Sequence, residues 1–507
     1  MREREYNLYD VIERNARLFP HREALVFGGS RLTFAQFKDR CDQLARGLSR
    51  RGVLKEDRLA VVAQNSDDYL VLYGAAARVG AVVVAVNWRL QAEELGYILA
   101  DCAPKLVFAD GEYGGLVSEA ARGVGSVDGL YILGEGKEEG AFQRFDALSI
   151  PGGTERGEDV PVDAGFVIMY TAAVEGKPRG ALLSQSNIVA IGVQLIHQFS
   201  LGQEDGHLCI LPLFHIGGLS MAVAVMHAGG KNILIDRFDP SMSLELIERE
   251  RATVFFSFPP ILKSLADAHR EKAFDLSTVR KVGGIDSPEN IERFREIAPN
   301  AEFYVNYGQT EAMAVAGGKL SERPGSAGRP SLLTSVILFD DYDREVPPGS
   351  AGEICVRSPA VFLGYWGKDE ETAYTFRNGW HHTGDIGRFD ADGYLWYVKR
   401  KAVKELIKPG GENVYPAEVE KVLLAHPDVA EAAVIGVPDP EWGEAVKAVC
   451  VVKEGHAIDP LELSEFVAAR IARYKKPKHV VFVKELPKKA DGEVDRERVK
   501  QEHGGKY

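Results

Sequence analysis

Short β-branched and aliphatic runs alternate with amphipathic stretches of helical length through the first two-thirds of the chain. After a charged first helix, apolar runs at 58–64, 81–86 and 105–110 are separated by helix-period segments at 67–78 and 91–101. That alternation specifies βαβ units and a mainly parallel sheet. A second series starts at Phe166-Val167-Ile168-Met169 and continues at 207–214, 232–238, 253–258, 281–285 and 302–308. Residues 134–162, rich in Gly and Glu, read as a loop connecting the two series. Beyond Pro330 the pattern changes to strands at 335–340, 352–358 and 393–400 without long helices, which predicts an antiparallel β unit. From about residue 401 a small α+β module follows: a turn at 410–416, helices at 417–426 and 461–474, and strands at 432–436, 446–452 and 480–483.

Composition narrows the class. A chain of 507 residues exceeds one ordinary core, so two or more domains are expected. The net charge of −13, with no long basic run, argues against a nucleic-acid partner, since phosphodiester backbones demand clustered Lys and Arg. Cys41, Cys102, Cys209, Cys355 and Cys450 are scattered and lack metal-site spacing, which suits reduced thiols and a cytoplasmic location, with no zinc site. The N-terminus is charged, without a signal or anchor pattern. The most apolar stretch, 69–86, carries Arg78 and Gly80 in its middle and reads as a buried helix passing into a buried strand, so no membrane partner is expected. A homodimer is compatible with these features.

The chemistry concentrates at 170–187. Here an apolar run leads into a Gly/Lys-containing turn before an amphipathic helix starting near Ser186, the arrangement of a phosphate cradle. The middle of the turn reads Ala172, Ala173, Val174, Glu175, where a cradle needs uncovered backbone donors and hydroxyls. Glu175 puts a carboxylate against the phosphate. The other polar turns are weak signals singly. Taken alone, Tyr307 reads as a core aromatic, Asp385 as a turn cap and His215 as a buried imidazole.

Their order is specific. Eight stretches, at 170–180, 211–218, 282–287, 307–311, 325–330, 379–385, 399–416 and 486–494, occur in a sequence that resembles the adenylate-forming superfamily: acyl-CoA synthetases, luciferases and peptide-synthetase adenylation domains. The resemblance spans essentially the whole chain. It implies an α/β fold with a large N-terminal domain of stacked α/β subdomains plus a β-barrel (1–399). A small mobile α+β lid (400–507) would turn about a hinge near 399–405. It implies acyl-AMP formation from a small carboxylic acid and ATP, followed by attack of CoA and release of AMP.

By the same resemblance, adenine lies between Tyr307 and the Gly283-Gly284-Ile285 backbone, in a nucleotide set completed by Gly308, Gln309, Thr310, Asp385, Tyr397 and Arg400. Thr310 bonds the α-phosphate and Glu311 holds Mg²⁺. Asp385 takes the ribose hydroxyls, and His215 lies beside the carboxylate or the thiol. Thr171, Glu175, Gly176, Lys177 and Gly180 form the phosphate loop. Gly410 and Gly411 border the CoA channel, and Phe214, Ile216, Gly217, Gly218, Gly283 and Ala312 line the acyl pocket, allowing a medium or aromatic acid.

Three departures from the family pattern stand out. The phosphate loop, Thr-Ser-Gly-Thr-Thr-Gly-Lys-Pro-Lys-Gly in the family, retains only Thr171, Gly176, Lys177, Pro178 and Gly180, with Arg179 for its second lysine. The position of the adenylation lysine holds Glu493. The hinge carries the extra Ala402 and Val403, with its acid at Glu405. A unit charge ~4 Å from a phosphate is worth roughly 4 kcal/mol at an effective dielectric of about 20. Discounted to ~3 kcal/mol of transition-state stabilisation, that is on the order of a hundredfold in rate. Both acidic replacements fall on the ATP half-reaction, so the expected activity is chiefly thioesterification of an acyl-AMP supplied by a separate adenylating enzyme. ATP and Mg²⁺ enter only if adenylation is retained. The alternatives are a full ATP-dependent ligase in which Lys177, Arg179, Lys488 or Lys489 compensates, and an inactive module that binds acyl-adenylate, acyl-CoA or AMP.

Overall fold

The computed structural model describes residues 6–134, 140–152, 159–171, 177–400, 406–489 and 494–505, residue 400 by its backbone alone. The apolar runs become two large sheets. One has eight strands, in the spatial order Gly364–Tyr365, Arg179–Ser184, Gly165–Thr171, Val82–Val86, Arg58–Val62, Leu106–Asp110, Gly129–Leu133, Phe142–Arg144. Its centre is parallel, and Val82–Val86 is buried along its whole length, as a strand covered on both faces must be. The 69–86 stretch is the helix Asp67–Val79, capped by the Ser66 hydroxyl and ended by Gly80 at φ 76°, followed by that strand.

The other sheet has nine strands, running Arg329–Pro330, Ala312–Lys319, Glu302–Gln309, Lys281–Gly284, Val254–Ser257, Gly206–Cys209, Lys231–Leu234, Glu23–Phe27, Ser30–Thr33. The two sequence series therefore do not map one to one onto the sheets. Gly165–Thr171 joins the first sheet, with Val167 opposite Val83. The second sheet gains the N-terminal hairpin, with Leu25 opposite Asn232. Alternation of runs reveals parallel pairing but not which sheet a strand enters.

Two further expectations are corrected. The 134–162 loop contains the edge strand Phe142–Arg144 and a short turn of helix, Phe145–Leu148, because Phe142, Phe145 and Leu148 are buried. The predicted 461–474 helix stops at Pro460–Ala468, and a separate turn, Arg473–Lys475, follows.

The segment beyond Pro330 forms an antiparallel sheet of Ser335–Phe339, Gly352–Arg357, His381–Phe389 and Leu395–Arg400. The smaller C-terminal domain is built on Val429–Asp439, Gly443–Val452 and His479–Val483. Alternate residues of its first strand feed separate cores, Val434 with Val419 and Leu463 in one, Ala433 and Ile435 with Val499 in the other. Among the described residues, no helix is long and apolar enough to cross a membrane.

The turn after Thr171 differs from the sequence expectation. The chain returns as Arg179–Ser184, antiparallel to Gly165–Thr171, with Arg179 opposite Thr171. The helix Gln185–Phe199 begins only after that strand, and Ser184 caps it by accepting from Asn187 N–H. Two paired strands thus flank residues 172–176, and the helix follows the second of them.

Candidate functional site

Parallel strands Val254–Ser257, Lys281–Gly284 and Glu302–Gln309 end together, and their carboxyl ends open on a cavity of about 280 Å³. Ligands of open α/β sheets bind at such ends. From this side the lining comprises Phe256, Phe258, Gly284, Ile285, Asn306 and the run Gly308, Gln309, Thr310, Glu311. Thr171, Arg179, Leu211, His215, Ile216 and Gly217 close another wall, and Leu406, Lys408, Gly411, Asn413, Tyr415, Trp442 and Glu444 of the C-terminal domain close the third.

Beside the end of the strand Glu302–Gln309, Tyr307 donates its hydroxyl to Asp385 at 2.9 Å, and Asp385 is 2% exposed. Gln309 reaches the Thr383 carbonyl at 3.3 Å, and the Thr383 hydroxyl receives Asp385 N–H at 3.1 Å, so the Thr383-Gly384-Asp385 stretch of the strand His381–Phe389 is tied to the end of Glu302–Gln309. The Tyr397 ring lies 6.4 Å from that of Tyr307 at 42°. The Arg400 side chain lies outside the described residues.

Glu311 is 6% exposed, and its Oε1 accepts from Tyr365 at 2.9 Å and from Thr171 at 3.4 Å. Burial, reinforced by the Glu311 charge, pushes the Tyr365 hydroxyl well above its ordinary range, so it stays a donor. One carboxylate on a cavity wall beside the Thr171 hydroxyl, with Thr310 also in the lining, fits Mg²⁺ bound jointly with substrate phosphate, the usual mode for that ion. Glu353, Cys355 and His382 also cluster. However, Glu353 already receives Gly384 N–H at 2.9 Å, His382 at 3.0 Å and Arg377 at 3.2 Å, the bonding of a structural carboxylate.

Arg179 stacks 4.2 Å over the Tyr365 ring and pairs with Glu371 at 2.7 Å. Lys177 sits 5.5 Å over the Tyr97 ring, and Lys488 pairs with Glu431 at 2.8 Å beside a separate surface cavity that includes Glu485 and Arg498. Glu175, Gly176 and Glu493 lie outside the described residues.

His215 caps the helix Ile216–His227, its Nδ1 accepting from Gly217 N–H at 3.1 Å. That bond assigns the ring proton to Nε2. Burial, with Lys408 and Arg89 nearby, lowers its pKa to about 4, so the imidazole is neutral at ordinary pH.

The C-terminal domain docks through charge. Glu412 accepts from Arg89 at 2.6 Å and Asn87 at 3.2 Å. The nearly buried Lys475 bridges Glu94 at 2.7 Å and Glu418 at 2.8 Å, and Glu94 also takes Ala472 N–H at 3.0 Å. This docking sets Gly411 on the cavity wall. Gly410 (φ 58°) packs where a Cβ would meet Trp442 at 2.7 Å, and Gly411 (φ 85°) where a Cβ would meet Phe258 at 3.3 Å.

Several residues expected in the acyl pocket, and Gly180 of the expected phosphate loop, lie elsewhere. A Cβ on Gly218 would fall 2.2 Å from the Pro212 carbonyl and one on Gly283 2.6 Å from Phe199, so both glycines serve close packing. Ala312 is buried in the core beside Val315 and Leu338, and Gly180 is packed on Ile168. Phe214 faces a smaller adjoining cavity that it shares with His215, Ile216 and Lys475. Sequence reasoning missed Phe256, Phe258, Asn306, Trp442 and Lys408. Only Trp442, a large aromatic in a hairpin turn, carried a signal that pattern reading could have used.

Comparisons with known proteins cover nearly the whole chain. The family described as AMP-binding enzyme matches residues 12–366, and that described as AMP-binding enzyme C-terminal domain matches 418–493. A feruloyl-CoA synthase of Amycolatopsis sp is 36% identical over 500 residues, covering 97% of this chain and 98% of that protein. An indoleacetate–CoA ligase of Aromatoleum aromaticum is 35% identical over 509 residues, covering 97% and 98%. The solved structure of an amide bond synthetase, McbA from Marinactinospora thermotolerans, is similar with a TM-score of 0.89 at 28% identity, covering 98% of this chain and all of that one.

Proposed function

Because the chain belongs to the AMP-binding enzyme family, and its relatives include acyl-CoA ligases, we propose that it makes an acyl-CoA thioester from a small aromatic acid by way of the acyl-adenylate. It works chiefly in the second half-reaction. The observation that carries this reading is that Thr310, Glu311, His215 and the C-terminal Gly411 and Trp442 all open on one cavity. AMP held by Tyr307, Asp385 and Thr310 would leave the acyl carbonyl near His215, and a thiol passing Gly410 and Gly411 would reach it. His215, neutral with its proton on Nε2, is a poor base at pH 7 and is suited to donate to the carbonyl oxygen as negative charge develops there. The aromatic class is supported by the names of the two relatives and by Phe256, Phe258, Ile285 and Met313 in the lining.

The adenylate would come from a separate enzyme, because Glu175 and Glu493 oppose the charge of ATP. One observation favours a second reading, a full ATP-dependent ligase: Arg179 lines the cavity and supplies a cation beside Glu311. Mg²⁺ on Glu311 would then supply charge neutralisation during adenylation.

The test mixes purified protein with an aryl-AMP and CoA, and separately with the acid, ATP, Mg²⁺ and CoA. Thioester from the first mixture alone is expected. Comparable rates in both restore the ordinary ligase, and no thioester in either leaves a binding module.

A further inference from the structure

A carboxylate and a guanidinium line the same cavity without meeting. Glu311 and Arg179 are both in its lining, yet the ion pair that Arg179 makes among the described residues is with Glu371, at 2.7 Å. Opposite charges close together in a low-dielectric site attract strongly, so these two must be held apart. Tyr365 stands between them. The stretch 361–365 crosses from one large sheet to the other: Val361 bridges Ala312, Phe362 N–H bonds the Glu311 carbonyl at 2.9 Å, and Tyr365 lies opposite Ala181. The Tyr365 hydroxyl donates to Glu311 Oε1 at 2.9 Å, its ring carries the Arg179 guanidinium at 4.2 Å, and the residue is 5% exposed. One side chain thus satisfies the anion at its tip and the cation on its face. Thr171 also bonds Oε1, at 3.4 Å. Both bonds fall on one oxygen of the carboxylate. Oε2 takes no hydrogen bond among the described residues and is not sealed from the surface, so it is the oxygen left to a ligand.

We propose that Tyr365 is a positioning residue. It fixes the Glu311 carboxylate with Oε2 presented to a phosphate-bound Mg²⁺, and it keeps Arg179 from closing onto that carboxylate, so that anion and cation stay separately available to metal and phosphate. The inference rests on the reading that Glu311 holds Mg²⁺ jointly with substrate phosphate, and it does not depend on how fast adenylation runs.

The test reads binding rather than turnover. The affinity of the purified protein for a non-hydrolysable imido analogue of ATP is measured by calorimetry with excess Mn²⁺ and again with EDTA, and the ratio of the two Kd values reports what the metal contributes. In wild type the metal is expected to tighten binding by roughly 30-fold or more, and Tyr365→Phe, which keeps the ring under Arg179, should cut that factor on the order of 10-fold. In a Glu311→Gln background the same change should do nothing further, since no carboxylate remains to position. Tyr365→Leu removes the ring as well, so Arg179 closes onto Glu311, and adding Arg179→Met should then restore part of the ratio. Loss of folded protein lowers the number of sites and not their Kd. Should Tyr365→Leu not fold, the cycle of Tyr365→Phe with Glu311→Gln carries the test alone. A ratio unmoved by Tyr365→Phe, one that falls equally in the Glu311→Gln background, or no recovery on adding Arg179→Met overturns the inference and leaves the functional reading intact, because thioester formation from aryl-AMP and CoA needs no ATP. A wild-type ratio of one overturns the inference together with the assignment of Mg²⁺ to Glu311. No thioester from aryl-AMP and CoA, with the ratio behaving as expected, overturns the functional reading alone.

Discussion

Two glycine-bearing turns differ in what they retain. At 410–411 both glycines have positive φ, and any side chain would press on Trp442 or Phe258 at the cavity wall. At 172–176 the positions that a phosphate loop fills with Gly, Ser and Thr hold Ala172, Ala173, Val174 and Glu175. The first turn keeps space at the cavity wall. The second has lost hydroxyls and gained a negative charge, and a second carboxylate stands at Glu493. Under the proposed function, space on the thiol side is kept while charge on the triphosphate side is inverted, so the two half-reactions would diverge.

The largest break in this comparison comes from filling the intact turn. Gly411→Val combines a strained left-handed backbone with a side chain at the cavity wall, ~3 kcal/mol together, so thioester formation from aryl-AMP and CoA should fall on the order of a hundredfold. AMP affinity by calorimetry should hold, since Tyr307 and Asp385 are untouched.

Docking of the turn is the next target. Lys475→Met leaves Glu94 and Glu418 facing each other without their shared cation. A fully buried pair loses about 3–5 kcal/mol when one partner is removed, and ~2 kcal/mol after allowing for partial exposure corresponds to roughly a 30-fold loss of thioesterification. Glu94→Gln in the same background should recover part of that rate.

The smallest effect is on stability against pH. The pKa of His215 is about 4 in the folded protein against 6.5 for the free side chain. Its contribution is therefore complete above pH 6.5 and is lost as pH falls toward 4, because the unfolded chain takes up the proton first. Denaturant melts should show stability declining below pH 6.5, with His215→Gln removing at most about 1 kcal/mol per pH unit of that slope.

The parallel strands were legible because Val82–Val86 and its neighbours are continuous apolar runs, and the order of the polar turns was legible enough to bring Thr310, Glu311, His215 and Gly411 around one space and to pair Tyr307 with Asp385. Sheet membership was not, since Gly165–Thr171 and Glu23–Phe27 carry no mark of which partner they choose. Nor was the hairpin at 171–179 legible, because its return strand, Arg179–Ser184, is too short to separate by periodicity from the helix that follows. Small residues were the weakest guide: Gly218 and Ala312 looked like pocket lining and are packing positions.

Charge at the triphosphate is tested most directly by restoring it. ATP–pyrophosphate exchange should be slow in the wild-type protein and should rise on the order of a hundredfold in the triple variant Val174→Thr, Glu175→Thr, Glu493→Lys, with thioester formation from aryl-AMP unchanged. Exchange already at the rate of ordinary acyl-CoA ligases in the unmodified protein, or no gain from the three substitutions, would contradict it.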